Sequence, residues 1–202
     1  MSEIEVKLLD INLSEIRKKL KDTNAILVKK EFQTNYMFDY SDKKLFNKGG
    51  YIRIRHCENF IQKEENPKKA LVTLKELVSK DKFKISKETE FNVDNFEETK
   101  SFFKALGLNL FRTDEKFRES YKLDNGLIEI DTWAGLPTYL EVEAKTEDDV
   151  NTLLKQIGFT LEDTTTMTLK ELLVHYNLSD ENRIFSNENK EKIQNDFINY
   201  SF

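Results

Sequence analysis

The sequence contains very little cysteine, proline or glycine. Its 202 residues include 1 Cys, 2 Pro and 6 Gly. The lone cysteine, Cys57, excludes an internal disulfide and is typical of a reducing compartment, so we expect a cytoplasmic protein. The scarcity of proline and glycine favours long regular elements joined by simple turns.

Long apolar runs are also absent, as is a strong excess of one charge. No apolar stretch approaches the roughly 18 residues of a membrane span, and no basic-then-apolar leader opens the chain, so we expect no membrane partner. The 32 basic and 37 acidic side chains give a net charge of −5. This balance argues against nucleic acid as a partner, because duplex-binding proteins are more often basic.

The opening stretch, residues 1–10, alternates strictly between charged and apolar side chains. One face of the predicted strand carries Glu3, Glu5 and Lys7, and the residues between them are apolar. Neighbours on one face of a strand lie about 6.5–7 Å apart. At that spacing two carboxylates can share a hard cation and leave the lysine for an anion, although a solvated strand face has the same pattern.

Charged side chains recur at i and i+2 in strand after strand of the predicted structure. The basic members are Lys7, Arg53, Arg55, Lys75, Lys116 and Arg118. The acidic members are Glu3, Glu5, Glu88, Glu90, Glu129, Asp131, Glu141 and Glu143. These strands are separated by short turns, so mostly antiparallel pairing is expected. Amphipathic helices are predicted at 11–22, 94–106, 147–157 and 167–176, with Asn12 or Ser14 capping the first and Asp94 the second.

Two arrangements place all these charges on one face. The first is an open antiparallel sheet with one wet face. The second is a barrel of about eight strands, whose charged interior is wide enough for one small ligand and whose apolar outside is covered by helices. The barrel also removes exposed strand edges. We therefore predict an α+β, mainly β fold: a closed eight-stranded antiparallel barrel with a charged interior and helices packed outside.

The domain prediction has two parts. Residues 1–178 form the barrel domain, and residues 179–202 form a polar, partly helical C-terminal extension. The polar composition of the extension predicts that it is dispensable. The alternative is that Phe197 and Phe202 dock on an apolar outer face or plug one end of the barrel.

Charges inside a barrel need partners, because isolated buried charge is very costly. A ligand that requires both signs at once is a polyanion bound with a divalent metal. Carboxylates suit Mg²⁺ or Mn²⁺, which is typically held by one or two of them together with substrate phosphates. Lysine and arginine neutralise phosphate oxygens. The pattern therefore predicts a small-molecule substrate with several linked phosphates.

Six motifs carry a resemblance to a known family. They are E-I-E-V-K at 3–7, R-I-R at 53–55, T-L-K at 73–75, E-T-E at 88–90, K-F-R at 116–118 and I-D-T-W-A-G-L-P-T-Y-L-E-V-E at 130–143. In this order they resemble the CYTH family of triphosphate tunnel metalloenzymes, which includes class IV adenylyl cyclases, thiamine triphosphatases and inorganic triphosphatases. The resemblance spans residues 2 to about 176 and implies an eight-stranded antiparallel tunnel.

The resemblance also implies roles for the charged residues. Mg²⁺ or Mn²⁺ is expected on Glu3, Glu5, Glu141 and Glu143. The triphosphate is expected on Lys7, Arg53, Arg55, Lys75, Lys116 and Arg118. Catalysis is assigned to Glu5, Lys7, Lys75, Asp131 and Glu143, with Asp131 helping the metal or the water. Supporting roles fall to Glu88, Glu90 and Glu129.

The leading functional prediction is a metal-dependent triphosphatase that releases phosphate, acting as a monomer or homodimer. The alternatives are an adenylyl cyclase that makes cyclic AMP and pyrophosphate, and a binding module without turnover. Two departures blur the subfamily. The extension has no counterpart in the family's core, and T-T-T-M-T-L-K-E-L-L at 164–173 lacks a serine-tyrosine pair found at that helix in several members.

Overall fold

A closed barrel of eight antiparallel strands forms the body of the computed structural model, which describes residues 2–61 and 69–200, except for the side chain of Ser2. The strands are β1 Ser2–Leu8, β2 Ile26–Asp39, β3 Tyr51–Asn59, β4 Ala70–Lys80, β5 Lys84–Val93, β6 Asn109–Leu123, β7 Gly126–Trp133 and β8 Tyr139–Ala144. Their order around the barrel is β1-β5-β4-β3-β2-β6-β7-β8. The predicted fold class is confirmed. The polar sequence of residues 59–69, which contains Pro67, predicts a loop, and most of it lies outside the described residues.

Strand β1 closes the barrel because it pairs with β5 on one side and β8 on the other. In this register Glu5 lies opposite Lys84 of β5 and opposite Glu143 of β8, and Lys7 lies opposite Glu141. The first and last charged motifs of the chain are therefore neighbours in space.

In the described part of the chain, six α-helices surround the barrel: α1 Leu13–Asp22, α2 Lys44–Asn47, α3 Phe96–Ala105, α4 Glu147–Gln156, α5 Leu169–His175 and α6 Asn187–Asn199. Asn12 caps α1, as predicted. The predicted Asp94 cap of α3 is wrong, because the helix begins later and Asn95 accepts the hydrogen bond from the Glu98 backbone N–H at 3.1 Å. No helix in the described part of the chain is both long and apolar enough to cross a membrane.

The main hydrophobic core lies outside the barrel wall. Apolar residues of β1, β7 and β8 face outward and pack against α1 and α4, as Val6, Ile128, Val142 and Leu153 illustrate. The two-residue period of the strands sends the intervening charged residues inward. Burial of the apolar face thus drives the charged face into the barrel interior.

The extension packs on the barrel. Beside β6, the Arg183 backbone donates to the Thr113 carbonyl at 2.9 Å, and the Glu115 N–H donates to the Arg183 carbonyl at 2.7 Å. Farther on, α6 packs Phe197 against Phe32 and Phe117, leaving Phe197 only 4% exposed. Of the two interpretations of the extension, the structure shows docking through Phe197, whereas Phe202 lies outside the described residues.

Candidate active site in the barrel tunnel

A cavity of about 260 Å³ occupies the barrel interior and is lined by side chains from all eight strands. Every site residue predicted from the sequence lines this cavity except Asp131. The strand alternation explains the result, since each predicted residue shares the inward phase of its strand. The question for function is which of these charges have opposite partners already.

Glu5 is the most heavily paired carboxylate of the tunnel. It accepts hydrogen bonds from Lys7 at 2.6 Å, from Lys84 at 2.7 Å and from Lys75 at 3.3 Å. Burial by itself would raise the pKa of Glu5, but the ammonium groups of Lys7, Lys75 and Lys84 hold it well below the usual range. Glu5 is therefore a fixed anion that organises three lysines.

A second network joins β6, β7 and β8. Arg118 donates to Asp131 through Nε at 2.6 Å and to Glu141 through Nη2 at 2.7 Å. Lys116 donates to Asp131 at 2.7 Å, and Lys7 reaches Glu141 at 3.0 Å. These cations lower the pKa of Asp131 against the effect of its burial.

Asp131 is fully buried behind Lys116 and Arg118 and does not line the cavity. That it helps a metal ion or a water stays a prediction, and in the structure its carboxylate accepts from Lys116 and Arg118. These contacts hold two cations in position. Burial, followed by repulsion from Arg118, lowers the pKa of Lys116 to about 8.

Two carboxylates of the tunnel lack sufficient opposite charge. Glu143 has no ion pair with any residue that the structure describes, and its burial together with repulsion from Glu129 and Glu3 raises its pKa to about 9. Glu3 pairs with Lys75 at 3.0 Å, yet burial raises its pKa as well. Negative charge is therefore in excess where β1 and β8 meet.

Two arginines on β3 are in the opposite situation. Arg53 donates to the Thr73 hydroxyl at 3.1 Å, and Arg55 donates through Nε to the Asn35 side-chain oxygen at 2.9 Å. No carboxylate in residues 2–61 and 69–200 forms an ion pair with either arginine. Burial and repulsion from Arg53 lower the pKa of Arg55. These guanidinium groups keep their charge for an anion.

The three supporting glutamates hold other site residues. Glu88 pairs with Lys75 at 2.7 Å. Glu90 accepts from the Thr73 hydroxyl at 2.7 Å, and the same hydroxyl accepts from Arg53, so Glu90 acts on Arg53 through Thr73. Glu129 pairs with Arg118 and accepts from Ser120 at 2.7 Å.

The arrangement of the tunnel carboxylates bears on whether the cavity can hold a metal ion. Among the described residues, no group of three acidic, His or Cys side chains is already arranged to hold a metal ion. The excess of carboxylate at Glu3 and Glu143 nevertheless fits a divalent cation, because these are hard oxygen donors with little competing positive charge. Mg²⁺ sites commonly use only one or two carboxylates and complete their shell with substrate phosphates. The residues therefore suit a cation that arrives with its anion.

Sequence reasoning missed several residues of the lining. Lys84 was recoverable, because it shares the inward phase of Glu88 and Glu90 on β5. Asn35 on β2 carries no charge and belongs to no charged motif. Its inward-facing position in the strand is therefore not enough to predict it as a site residue. Thr168 and Lys170 reach the cavity from the start of α5, and no strand periodicity indicates them.

Comparisons with known proteins agree on one family. The family model of the CYTH domain matches residues 1–173 of the chain. A protein of Methanocaldococcus jannaschii named as a putative adenylate cyclase is 28% identical over 152 residues, which cover 75% of this chain and 81% of that protein.

Solved structures share the barrel. A conserved hypothetical protein from Pyrococcus furiosus is 25% identical, with a TM-score of 0.67, covering 84% of this chain and 99% of that chain. A putative adenylyl cyclase from Hippeastrum, described as having a dominant triphosphatase activity, is 16% identical, with a TM-score of 0.62, covering 88% of this chain and 96% of that chain. At such low identity, the second likeness concerns the fold alone.

Proposed function

The chain belongs to the CYTH domain family, and we propose that it is a divalent-metal-dependent hydrolase that cleaves a triphosphate substrate and releases orthophosphate. The observation that carries the proposal is the unbalanced charge in the tunnel. Among the residues that the structure describes, Glu143 forms no ion pair, whereas Arg53 and Arg55 have only neutral hydrogen-bond partners. One cavity thus offers excess charge of both signs, and a metal-bound polyphosphate supplies both complements.

Glu3 and Glu143 would hold Mg²⁺ or Mn²⁺, together with Glu5 and Glu141 of the neighbouring positions on β1 and β8. When bound, the cation supplies Lewis-acid neutralisation of phosphate oxygens. The protein's own task is to place these carboxylates beside the substrate. Because the pKa of Glu143 is about 9 in the metal-free protein, its carboxyl group would have to give up a proton to hold the cation.

The basic residues bind and orient the phosphates. Arg53 and Arg55 grip the anion from β3, while Lys7, Lys75 and Lys116 neutralise charge along the tunnel. Phosphoryl transfer requires little covalent work from the protein, so positioning and charge stabilisation account for most of the catalysis. Asp131 contributes by holding Lys116 and Arg118 in place.

The second candidate is an adenylyl cyclase, in which the ribose 3′-hydroxyl attacks and pyrophosphate leaves. It is favoured by aromatic side chains in the cavity lining, Phe46, Tyr51 and Trp133, which suit a nucleobase. The relative from Methanocaldococcus jannaschii carries a cyclase name. The third candidate is a binding module without turnover. The excess carboxylate makes it the least favoured, because a protein that only binds an anion does not need carboxylates in its cavity.

One experiment separates the candidates. The purified protein is incubated with tripolyphosphate, thiamine triphosphate and ATP, each with Mg²⁺, with Mn²⁺ or with excess EDTA, and the products are resolved. We expect orthophosphate from at least one substrate and no turnover in EDTA. Cyclic AMP and pyrophosphate from ATP would establish the cyclase instead, and undiminished turnover in EDTA would overturn the metal assignment.

A further inference from the structure

Asn35 is a buried polar residue of the tunnel that none of the charged motifs includes. It lies on β2, is 1% exposed, and lines the cavity beside the basic residues of β3. Its side-chain oxygen accepts the hydrogen bond from Arg55 Nε at 2.9 Å. Its side-chain nitrogen donates to the backbone carbonyl of Asp114 on β6 at 3.4 Å. Asn35 therefore connects Arg55 to the frame of the neighbouring strand.

The remaining nitrogens of Arg55 are uncommitted. Within the part of the chain that the structure describes, the Nη atoms of Arg55 donate no hydrogen bond to protein. A guanidinium offers five N–H donors in a rigid fork, and one of them is occupied by Asn35. The fork is thus oriented at Nε while its two outer nitrogens keep their donors for a ligand.

Other cations of the tunnel are held differently. Lys7 and Lys84 bond to Glu5, and Lys116 and Arg118 bond to Asp131, so each of the four has a carboxylate partner. Arg55 alone of these five is held by a neutral amide. An aspartate has nearly the same shape as an asparagine and would give Arg55 a charge-assisted pair in its place. Because residue 35 is an amide and not a carboxylate, it does not neutralise Arg55, whose positive charge remains available to an anion in the cavity.

We propose that Asn35 is a positioning residue that sets the affinity of the tunnel for linked phosphates, because it orients Arg55 without neutralising it. The inference rests on the proposed function and deepens it, since it assigns the strength of anion binding to a residue outside the charged motifs. The ligand class is an inorganic or organic chain of linked phosphates, which the outer nitrogens of Arg55 bind in bidentate fashion.

The test uses Asn35→Asp and inorganic tripolyphosphate as the probe. Affinity is measured by isothermal titration calorimetry in excess EDTA, so that neither metal nor turnover contributes. We expect affinity to fall at least about tenfold, the loss typical of one charge-assisted hydrogen bond. The melting temperature should change little, because Arg55 gains an ion pair while the hydrogen bond from residue 35 to the Asp114 carbonyl is lost. In the turnover assay KM should rise more than kcat falls.

Asn95→Asp is the matched control. It makes the same chemical change at the exposed N-cap of α3, where asparagine and aspartate cap equally well. We expect it to leave tripolyphosphate affinity unchanged, which shows that a change of net charge alone is not the cause. Should Asn35→Asp fail to fold, Asn35→Ala takes its place, with a smaller loss of affinity expected from a misoriented Arg55.

The outcomes separate this inference from the proposed function. Wild-type affinity in a folded Asn35→Asp or Asn35→Ala protein overturns the positioning role and leaves the proposed function intact. A loss of affinity that merely follows a lower melting temperature also overturns it, because the residue is then structural. If the wild-type protein neither binds tripolyphosphate nor cleaves any triphosphate, the proposed function fails and this inference falls with it.

Discussion

The tunnel and the surface on which the extension docks both bury charged side chains, but they balance them differently. We call the second region the extension seam and define it as residues 180–200, the side chains of α1, β2 and β6 that contact them, and the ion pairs of those side chains. In the seam Arg17 pairs with Glu119 and with Asp196 at 3.3 Å, and its guanidinium lies 4.0 Å from the centre of the Tyr200 ring. Lys30 has neutral acceptors, the carbonyls of Phe197 and of Tyr200, the latter at 2.6 Å, so the extension itself supplies the partners of this cation.

The tunnel lacks such balance at two residues, Glu143 and Arg55. Burial, together with repulsion from Glu129 and Glu3, raises the pKa of Glu143, whereas burial and repulsion from Arg53 lower the pKa of Arg55. Buried charge that is matched by opposite charge belongs to the architecture. Buried charge left unmatched on both signs in one cavity indicates a ligand that supplies the match.

Replacing one carboxylate with an amide in each region should give the largest difference between the two regions. Glu143→Gln should reduce turnover by at least about a thousandfold, more than the 10–100-fold typical of losing a metal's outer partners. Its melting temperature without metal should stay unchanged or rise, because a repelled carboxylate is removed. Activity assays and thermal unfolding of the same preparation measure both effects.

Glu119→Gln is the counterpart in the seam. It leaves the buried Arg17 without its main partner, so we expect a loss of about 3 kcal/mol in unfolding free energy. Turnover of the protein that remains folded should be close to wild type. The opposite result, a steep loss of stability in Glu143→Gln with activity kept, would mean that Glu143 is structural and that the two regions do not differ.

The extension itself supplies the next test. Phe197 is buried against Phe32 and Phe117, and truncating such a side chain costs about 3 kcal/mol or more. We therefore expect Phe197→Ala, and a protein ending at Leu178, to melt at a lower temperature. Ile198→Ala is the control, because the neighbouring Ile198 is 48% exposed. An unchanged melting temperature after truncation would restore the prediction that the extension is dispensable.

The smallest expected effect is a pH dependence of stability in the metal-free protein. The folded pKa of Glu143, about 9, lies above its ordinary value of 4.5, so its protonated form stabilises the fold and this stability is lost as pH rises toward 9. The loss is at most about 1.4 kcal/mol per pH unit for one group. Melting temperature should therefore fall between pH 6 and 8, and Glu143→Gln should flatten the slope.

Other groups with shifted pKa values affect stability mainly outside the range of pH 6 to 8. Burial raises the pKa of Asp114 in the seam to about 6, so its contribution is lost mostly below the window. The lowered pKa values of Lys116 and Lys84, about 8, make stability rise with pH above the window, because the folded lysines lose their protons before the unfolded ones do. A slope that is identical in wild type and Glu143→Gln would show that another group causes it.

The sequence by itself determined which side chains point into the barrel. Strict alternation assigned Glu3, Arg53, Lys75 and Glu143 to one face, and the motifs in order predicted the closed barrel that the structure has. Alternation is a local property of extended backbone, so it can be read without knowing which strands are neighbours.

Only the tertiary structure decided which of these charges have partners. The register of β1 between β5 and β8 brought Lys84 to Glu5 and left Glu143 without an ion pair among the described residues, although both are inward-facing. Likewise Asp131 is hidden behind Arg118, Asn35 meets Arg55, and Phe197 docks on β2 and β6. These contacts join residues far apart in the chain. They depend on strand order, register and closure of the barrel, which no local pattern of side chains specifies.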